Sequence, residues 1–175
     1  THGEPSTENA HPHYDYANKI VLVHNGIIEN HLELKQELLK KGISFASQTD
    51  TEVAANLIGY YYEKGDLVHA FKKAIKRLRG FFSFVVLSER EPDKILLFKR
   101  SNPLVIGLGR GENFVASDVP AFLSYTPNVL YLEDDEYAIL RREGVEIYSF
   151  LTGGRVQRKS IKIEWNIHEA KKGGY

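Results

Sequence analysis

The chain has 175 residues, 42% of them hydrophobic, with 23 Lys or Arg balanced by 23 Asp or Glu and with no cysteine. That length and apolar content suit one ordinary globular domain with a sizeable core, and the zero formal net charge excludes a global field that would gather nucleic acid or an anionic membrane. The lack of cysteine excludes a disulfide framework and a thiolate metal site, and the longest apolar runs, such as residues 81–87, are far too short to span a bilayer.

The chain opens at Thr1 with neither an initiator Met nor a basic-then-apolar leader, so it reads as a piece of a longer polypeptide. Residues 1–18, with two prolines and several histidines, predict an irregular loop suited to binding. Residues 19–24 predict a short strand, and Asn25-Gly26 is a turn signal because both residues tolerate positive φ. Asn30 with Glu33 forms a capping-box pattern for a helix carrying the stripe Leu34, Leu38 and Leu39 and ending at Gly42. A short strand is expected at 43–46. Thr49 with Glu52 repeats the capping box for a helix with inner face Val53, Leu57 and Ile58, ending near Gly65. Asp66 caps a third, in which Leu67, Ala70, Phe71, Ala74, Ile75 and Leu78 recur at helical spacing, with Gly80 as the stop.

Beyond Gly80 the pattern becomes that of strands, at 81–87, 94–99, 104–106, 114–116, 129–132, 137–140, 145–150 and 156–164, joined by Pro, Gly and Asn turns, with a hairpin turn at 151–155. Helices grouped in one early block and strands joined by tight turns predict an α+β layered fold, not a doubly wound sheet. Residues 166–175 lose the β pattern and read as a linker.

Asn25 and Gly26 place an amide side chain beside an accessible backbone N–H. Two such donors suit an oxyanion in acyl transfer, where one donor contributes about 3 kcal/mol of barrier. The attacking group must then be a Ser or Thr of this chain or a nucleophile on polypeptide outside it. Ser6 and Ser117 lack a Gly-x-Ser-x-Gly elbow, which disfavours a serine hydrolase. The turn reading of Asn-Gly stays open, as does the reading of Asp50 as a first-turn helix residue favoured by the macrodipole. His2, His11, His13 and His24 invite a metal reading that the lack of cysteine and the scattered carboxylates disfavour. Residues 107–111 read as a glycine-rich hairpin and not a phosphate loop, since no helix opens there. Lys72, Lys73, Lys76, Arg77 and Arg79 read as the solvated side of the third helix.

Thr1-His2-Gly3-Glu4-Pro5-Ser6, Asn9-Ala10-His11-Pro12-His13, Val23-His24-Asn25-Gly26-Ile27-Ile28-Glu29-Asn30, Asp50-Thr51-Glu52-Val53 and Pro103-Leu104-Val105-Ile106-Gly107 follow one another in an order that resembles a single family. Gly109, Glu112, Asn113, Phe114, Ala116, Ser117 and Asp118 extend the likeness. The family is that of the glutaminase domains of isomerising glutamine–fructose-6-phosphate aminotransferases, the glucosamine-6-phosphate synthases, within the N-terminal nucleophile amidotransferases.

The resemblance implies a four-layer αββα fold in which an N-terminal Cys attacks the side-chain amide of L-glutamine. It implies that Asn25 and the Gly26 N–H form the oxyanion hole, that Asp50 and the Gly26 carbonyl bind the substrate's α-amino group, and that Thr1 and His2 end a mobile loop holding its α-carboxylate. The family's Arg-Trp-Ala just before the matching Thr is not in this chain, nor is the nucleophilic Cys. Residues 1–165 are therefore expected to be a glutaminase domain lacking its N-terminal segment, and 166–175 the start of a linker to sugar-isomerising domains that act on fructose 6-phosphate. No cofactor, metal, nucleic acid or membrane is implied; the parent is expected to be a cytoplasmic homo-oligomer, and this chain alone inactive. The alternatives are the glutaminase domain of another amidotransferase, of the amidophosphoribosyltransferase or asparagine synthetase type, and a non-catalytic glutamine-binding module.

Overall fold

The computed structural model describes residues 3–62 and 65–164. Thr1, His2 and the expected linker at 166–175 lie outside those residues. A short strand β1 (His13–Tyr14) precedes β2 (Ile20–Ile28), and three helices follow: α1 (His31–Lys40), α2 (Asp50–Tyr61) and α3 (Leu67–Ile75). Strands β3 (Gly80–Ser88), β4 (Ile95–Arg100), β5 (Val105–Leu108), β6 (Asn113–Ala116), β7 (Asn128–Tyr131), β8 (Glu136–Arg141), β9 (Gly144–Ser149), β10 (Arg155–Val156) and β11 (Ile161–Lys162) complete the described chain, with a 3-10 turn at Val119–Ala121.

The strands form two sheets, ordered β1-β2-β3-β4-β8-β9-β10 and β11-β7-β5-β6, and every pairing is antiparallel. Period-two alternation sends Leu22, Phe82, Phe84, Val86 and Phe98 toward the helices, where they join Leu34, Leu57, Phe71 and Ile75 in the main core. Leu97, Ala138 and Leu140 point the other way and meet Ile106 and Leu130 of the smaller sheet. The outer face of the smaller sheet carries Val105 and Val129 beneath Val119 and Phe122 of the 3-10 turn. Helices, large sheet and small sheet are three of the four expected layers.

Helix α2 is the innermost. Its first ten residues, Asp50 to Gly59, are all buried, between β2 on one side and α1 and α3 on the others. Small residues allow this: a Cβ on Gly59 would stand 2.4 Å from Asp15 Oδ2, so glycine lets the loop before β2 lie directly on the helix. The Thr49 hydroxyl accepts the Glu52 N–H (3.2 Å) as the capping box predicts. The Glu52 carboxylate does not return to Thr49; it takes the Ala46 and Ser47 N–H groups instead (2.8 and 2.7 Å). The segment 43–46 is accordingly not a strand: its first donor, the Ile43 N–H, closes α1 on the Leu38 carbonyl (3.1 Å) and its last, the Ala46 N–H, is spent on that carboxylate.

Other expectations are corrected. Asn25-Gly26 is not a turn, since β2 runs through it in register with β3, Asn25 opposite Ser83 and Gly26 opposite Phe82. Gly26 adopts φ +119 within the strand. Asn30 makes no side-chain cap to α1; its amide donates to the Arg77 carbonyl and accepts the Arg79 N–H (both 2.9 Å), pinning the exit of α3. Leu39 is 44% exposed and outside the stripe of Leu34 and Leu38. Helix α2 stops at Tyr61, and α3 stops at Ile75 while Leu78 stays buried in the following turn, so Gly80 opens β3 and terminates no helix. The single strand expected at 156–164 is two, β10 on the large sheet and β11 on the small one, because the chain crosses between layers there. The basic side of α3 is not merely solvated: Lys73 lies over the Tyr61 ring (4.4 Å), and Arg77 makes a two-pronged pair with Glu37 (3.0 and 2.6 Å).

Candidate functional site

The backbone of β2 sets up the site. The Glu29 N–H donates to the Arg79 carbonyl (2.9 Å) and the Glu89 N–H to the Lys19 carbonyl (3.1 Å), so the odd-numbered residues of this ladder exchange hydrogen bonds with β3. The even-numbered N–H groups of β2 face the opposite edge. There Ile20 N–H reaches Asp15 Oδ1 (2.8 Å) and Ile28 N–H reaches Asp50 Oδ2 (2.8 Å). The Gly26 N–H belongs to this second row. That edge borders a cavity of about 230 Å³ whose wall includes His11, His24, Asn25, Gly26, Asp50 and Thr51.

Asn25 is odd-numbered, so its side chain leaves the sheet on the face turned away from the helices, and it is exposed. It also lines a second cavity of about 220 Å³, between Val23, Ser83 and Val85 of the large sheet and, on the other side, Val115 of the small sheet with Leu104 and Ser117, which flank its strands. Asn25 therefore stands where the two cavities meet.

Asp50 is the first residue of α2, 3% exposed. Besides taking the Ile28 N–H, its carboxylate stands 3.8 Å from His24 Nδ1. A first-turn helix carboxylate is thus also a wall of the cavity beside Gly26.

Three histidines join the wall through threonine hydroxyls. Thr51 Oγ1 lies 3.1 Å from His11 Nε2 and 3.0 Å from His24 Nδ1, and Thr49 Oγ1 lies 3.1 Å from His13 Nε2. A hydroxyl has one proton to give, so Thr51 donates to at most one of the two rings, and at least one ring presents an N–H to it. Burial pulls the His13 pKa below the ordinary histidine value against the opposing pull of Glu52. His11, exposed at the rim, is also lowered, by loss of hydration first and by the neighbouring His13 second. In His11 and His13 burial favours the neutral ring, which serves hydrogen bonding and not charge. Among the described residues no group of three or more His, Asp or Glu side chains is arranged to hold a metal ion.

The structure thus brings Asn25, Gly26 and Asp50 together, while Thr1 and His2 lie outside the described residues. Sequence reasoning missed the Thr49 and Thr51 links. The alternations His11-x-His13 and Thr49-x-Thr51 were visible, but nothing in a spacing of about forty residues pairs them. The glycine-rich stretch at 107–111 is a hairpin between β5 and β6, closed by the Gly109 N–H to the Glu112 carbonyl (3.0 Å).

Two facing antiparallel sheets, helices on one outer face and a donor-lined cavity at a strand edge define a class, and comparison with known proteins gives it a family: a profile of the glutamine amidotransferase domain matches residues 4–124, and the chain belongs to that family. Along all of its length it is 49% identical to the glutamine–fructose-6-phosphate aminotransferase (isomerizing) of Aquifex aeolicus and 46% identical to that of Caldanaerobacter subterraneus, covering 29% and 28% of those proteins. The chain therefore spans less than a third of the relatives it matches. The solved glutamine phosphoribosylpyrophosphate amidotransferase of B. subtilis superposes with a TM-score of 0.69 at 27% identity, over 97% of this chain and 40% of that one. The fold is the α+β fold of the N-terminal nucleophile amidotransferases.

Proposed function

We propose that this chain is the glutaminase part of a glucosamine-6-phosphate synthase, releasing ammonia from L-glutamine for transfer to fructose 6-phosphate on domains outside these 175 residues. The observation that carries the reading is the placement of the Asn25 amide and the Gly26 N–H beside one cavity, with the Asp50 carboxylate in its wall. A tetrahedral intermediate at the glutamine side-chain carbonyl places its negative oxygen between the two donors, and donors fixed in advance need no reorganisation as that charge develops. Asp50 and the Gly26 carbonyl receive the substrate's α-amino group, and Thr1 and His2 its α-carboxylate. The nucleophile is a Cys supplied by polypeptide outside this chain, which has none. The near identity of half the residues with the isomerising aminotransferases favours this reading over a phosphoribosyl-type amidotransferase.

Two assays test it. Full-length parent protein should release glutamate from glutamine, and Asn25→Ala should lower its kcat by about 100- to 1,000-fold with KM changed far less. A large rise in KM with kcat intact would remove Asn25 from the oxyanion role. The 175 residues alone should release no glutamate; sustained release would show that they hold their own nucleophile and would support a different hydrolase.

A further inference from the structure

Asn102, in the connection between β4 and β5, lies far along the chain from Asn25 and Gly26 and touches them directly. Its Nδ2 donates to the Asn25 carbonyl (3.2 Å) and to the Phe81 carbonyl (3.1 Å). Both partners are acceptors, so the atom between them must be the amide nitrogen, which settles the orientation of the side chain. The same nitrogen occupies the space where a residue other than glycine at position 26 would carry its side chain: a Cβ there would stand 2.4 Å from Asn102 Nδ2 and 2.0 Å from the Phe81 carbonyl.

Asn102 is itself held. Its N–H donates to the Arg100 carbonyl (3.0 Å), and its carbonyl accepts the hydroxyl of Ser83 (2.5 Å), a buried residue directly opposite Asn25 in the ladder. Arg100 is anchored in turn by Asp135 (Nε to Oδ1, 2.8 Å).

We propose that Asn102 is a positioning residue for the oxyanion donor. The peptide joining Asn25 to Gly26 is planar and trans, so its carbonyl and its N–H point in opposite directions. By holding the Asn25 carbonyl on the β3 side, Asn102 fixes the Gly26 N–H on the other, toward the cavity. Gly26 at φ +119 has freedom that other residues lack, and this clamp adds a second hold to the one that pairing with β3 gives its peptide plane. Asn102 acts through Gly26 and not by touching nucleophile or substrate. The inference rests on the proposed glutaminase reading.

The test uses full-length parent protein carrying Asn102→Ala, Asn102→Asp or Asn102→Ser. The expected result is a kcat for glutamine hydrolysis lowered about 10- to 100-fold in Asn102→Ala, with KM within about twofold and an unchanged unfolding midpoint. Asn102→Asp, which sets a carboxylate against two carbonyls, should be worse than Ala, and Asn102→Ser, which keeps one donor, should recover part of the rate. Hydrogen exchange followed by mass spectrometry should show faster exchange in Asn102→Ala for peptides covering residues 24–28, with the rest of the domain unaltered. Wild-type kcat together with wild-type exchange at 24–28 overturns the proposal, as does a uniform loss in which stability, KM and kcat all worsen together. If wild-type protein releases no glutamate, the glutaminase reading falls, and exchange at 24–28 alone decides whether Asn102 holds the Gly26 peptide.

Discussion

On the side of β2 that meets the helices, Ile20, Leu22 and Ile28 are fully buried, whereas on the other side Val23 and Ile27 are 38% and 51% exposed. One strand of nine residues thus carries two surfaces of opposite kind. The buried side also holds His24 against the Phe84 ring, with centroids 5.1 Å apart, and locks it to Thr51. The open side presents Asn25. Side chains alternate across a strand, so a rigid mount and an accessible functional group can be adjacent residues, and the position of Asn25 is set by neighbours on the opposite face of its strand.

The sharpest way to break this contrast is to truncate one residue on each side. Phe84→Ala, on the buried side, should destabilise by about 3–5 kcal/mol. Val23→Ala should stay within about 0.5 kcal/mol. Urea denaturation decides, and similar losses would mean that the open side is covered by structure as firm as the helices. A smaller effect probes the packing beneath the mount. Gly59→Ala drives a methyl group toward the buried Asp15 carboxylate and should cost about 1–3 kcal/mol, read from the same curves; a neutral result would show that the loop carrying Asp15 moves freely away from α2.

The smallest effect is that of pH. The folded pKa of His13 lies below its unfolded value because of burial, so the unfolded chain binds the proton first. The stability this contributes is fully present above the unfolded pKa, near 6.5, and is lost as pH falls from there toward the folded value. Each pH unit separating the two values is worth about 1.4 kcal/mol. His13→Asn should flatten the melting temperature between about pH 7 and pH 5 relative to wild type. An unchanged slope would assign the acid sensitivity to other groups.

Much of the fold was legible in the sequence because local signals agreed with tertiary packing. The i, i+3, i+4 pattern of α3 and its Asp66 cap, whose carboxylate takes the His69 N–H at 3.0 Å, are both present. The hairpin at 151–155 closes with Gly153 N–H to the Ser149 carbonyl (2.8 Å). Signals failed where a distant partner captured the group that carried them. Asn30 resembles a cap, but its amide satisfies the backbone at Arg77 and Arg79. Asn25-Gly26 resembles a turn, but pairing with β3 keeps the chain extended. The candidate site was legible in part: the polar groups of Asn25, Gly26 and Asp50 are visible in the residue types, whereas Thr51 and Asn102 come beside them only through folding.

Asn25-Gly26 also has a clock in it. An asparagine followed by glycine is the pair most prone to deamidation, because no side chain hinders attack of the glycine nitrogen on the asparagine carboxamide. The extended ladder that holds Asn25 opposite Ser83 and Gly26 opposite Phe82 restricts the backbone rotation that ring closure needs, so native protein should age slowly at this bond and unfolded protein quickly. The cyclic imide that forms opens to aspartate or isoaspartate, and either product lacks the amide donor, so the small mass gain of the peptide containing Asn25 would record how often β2 has come away from β3.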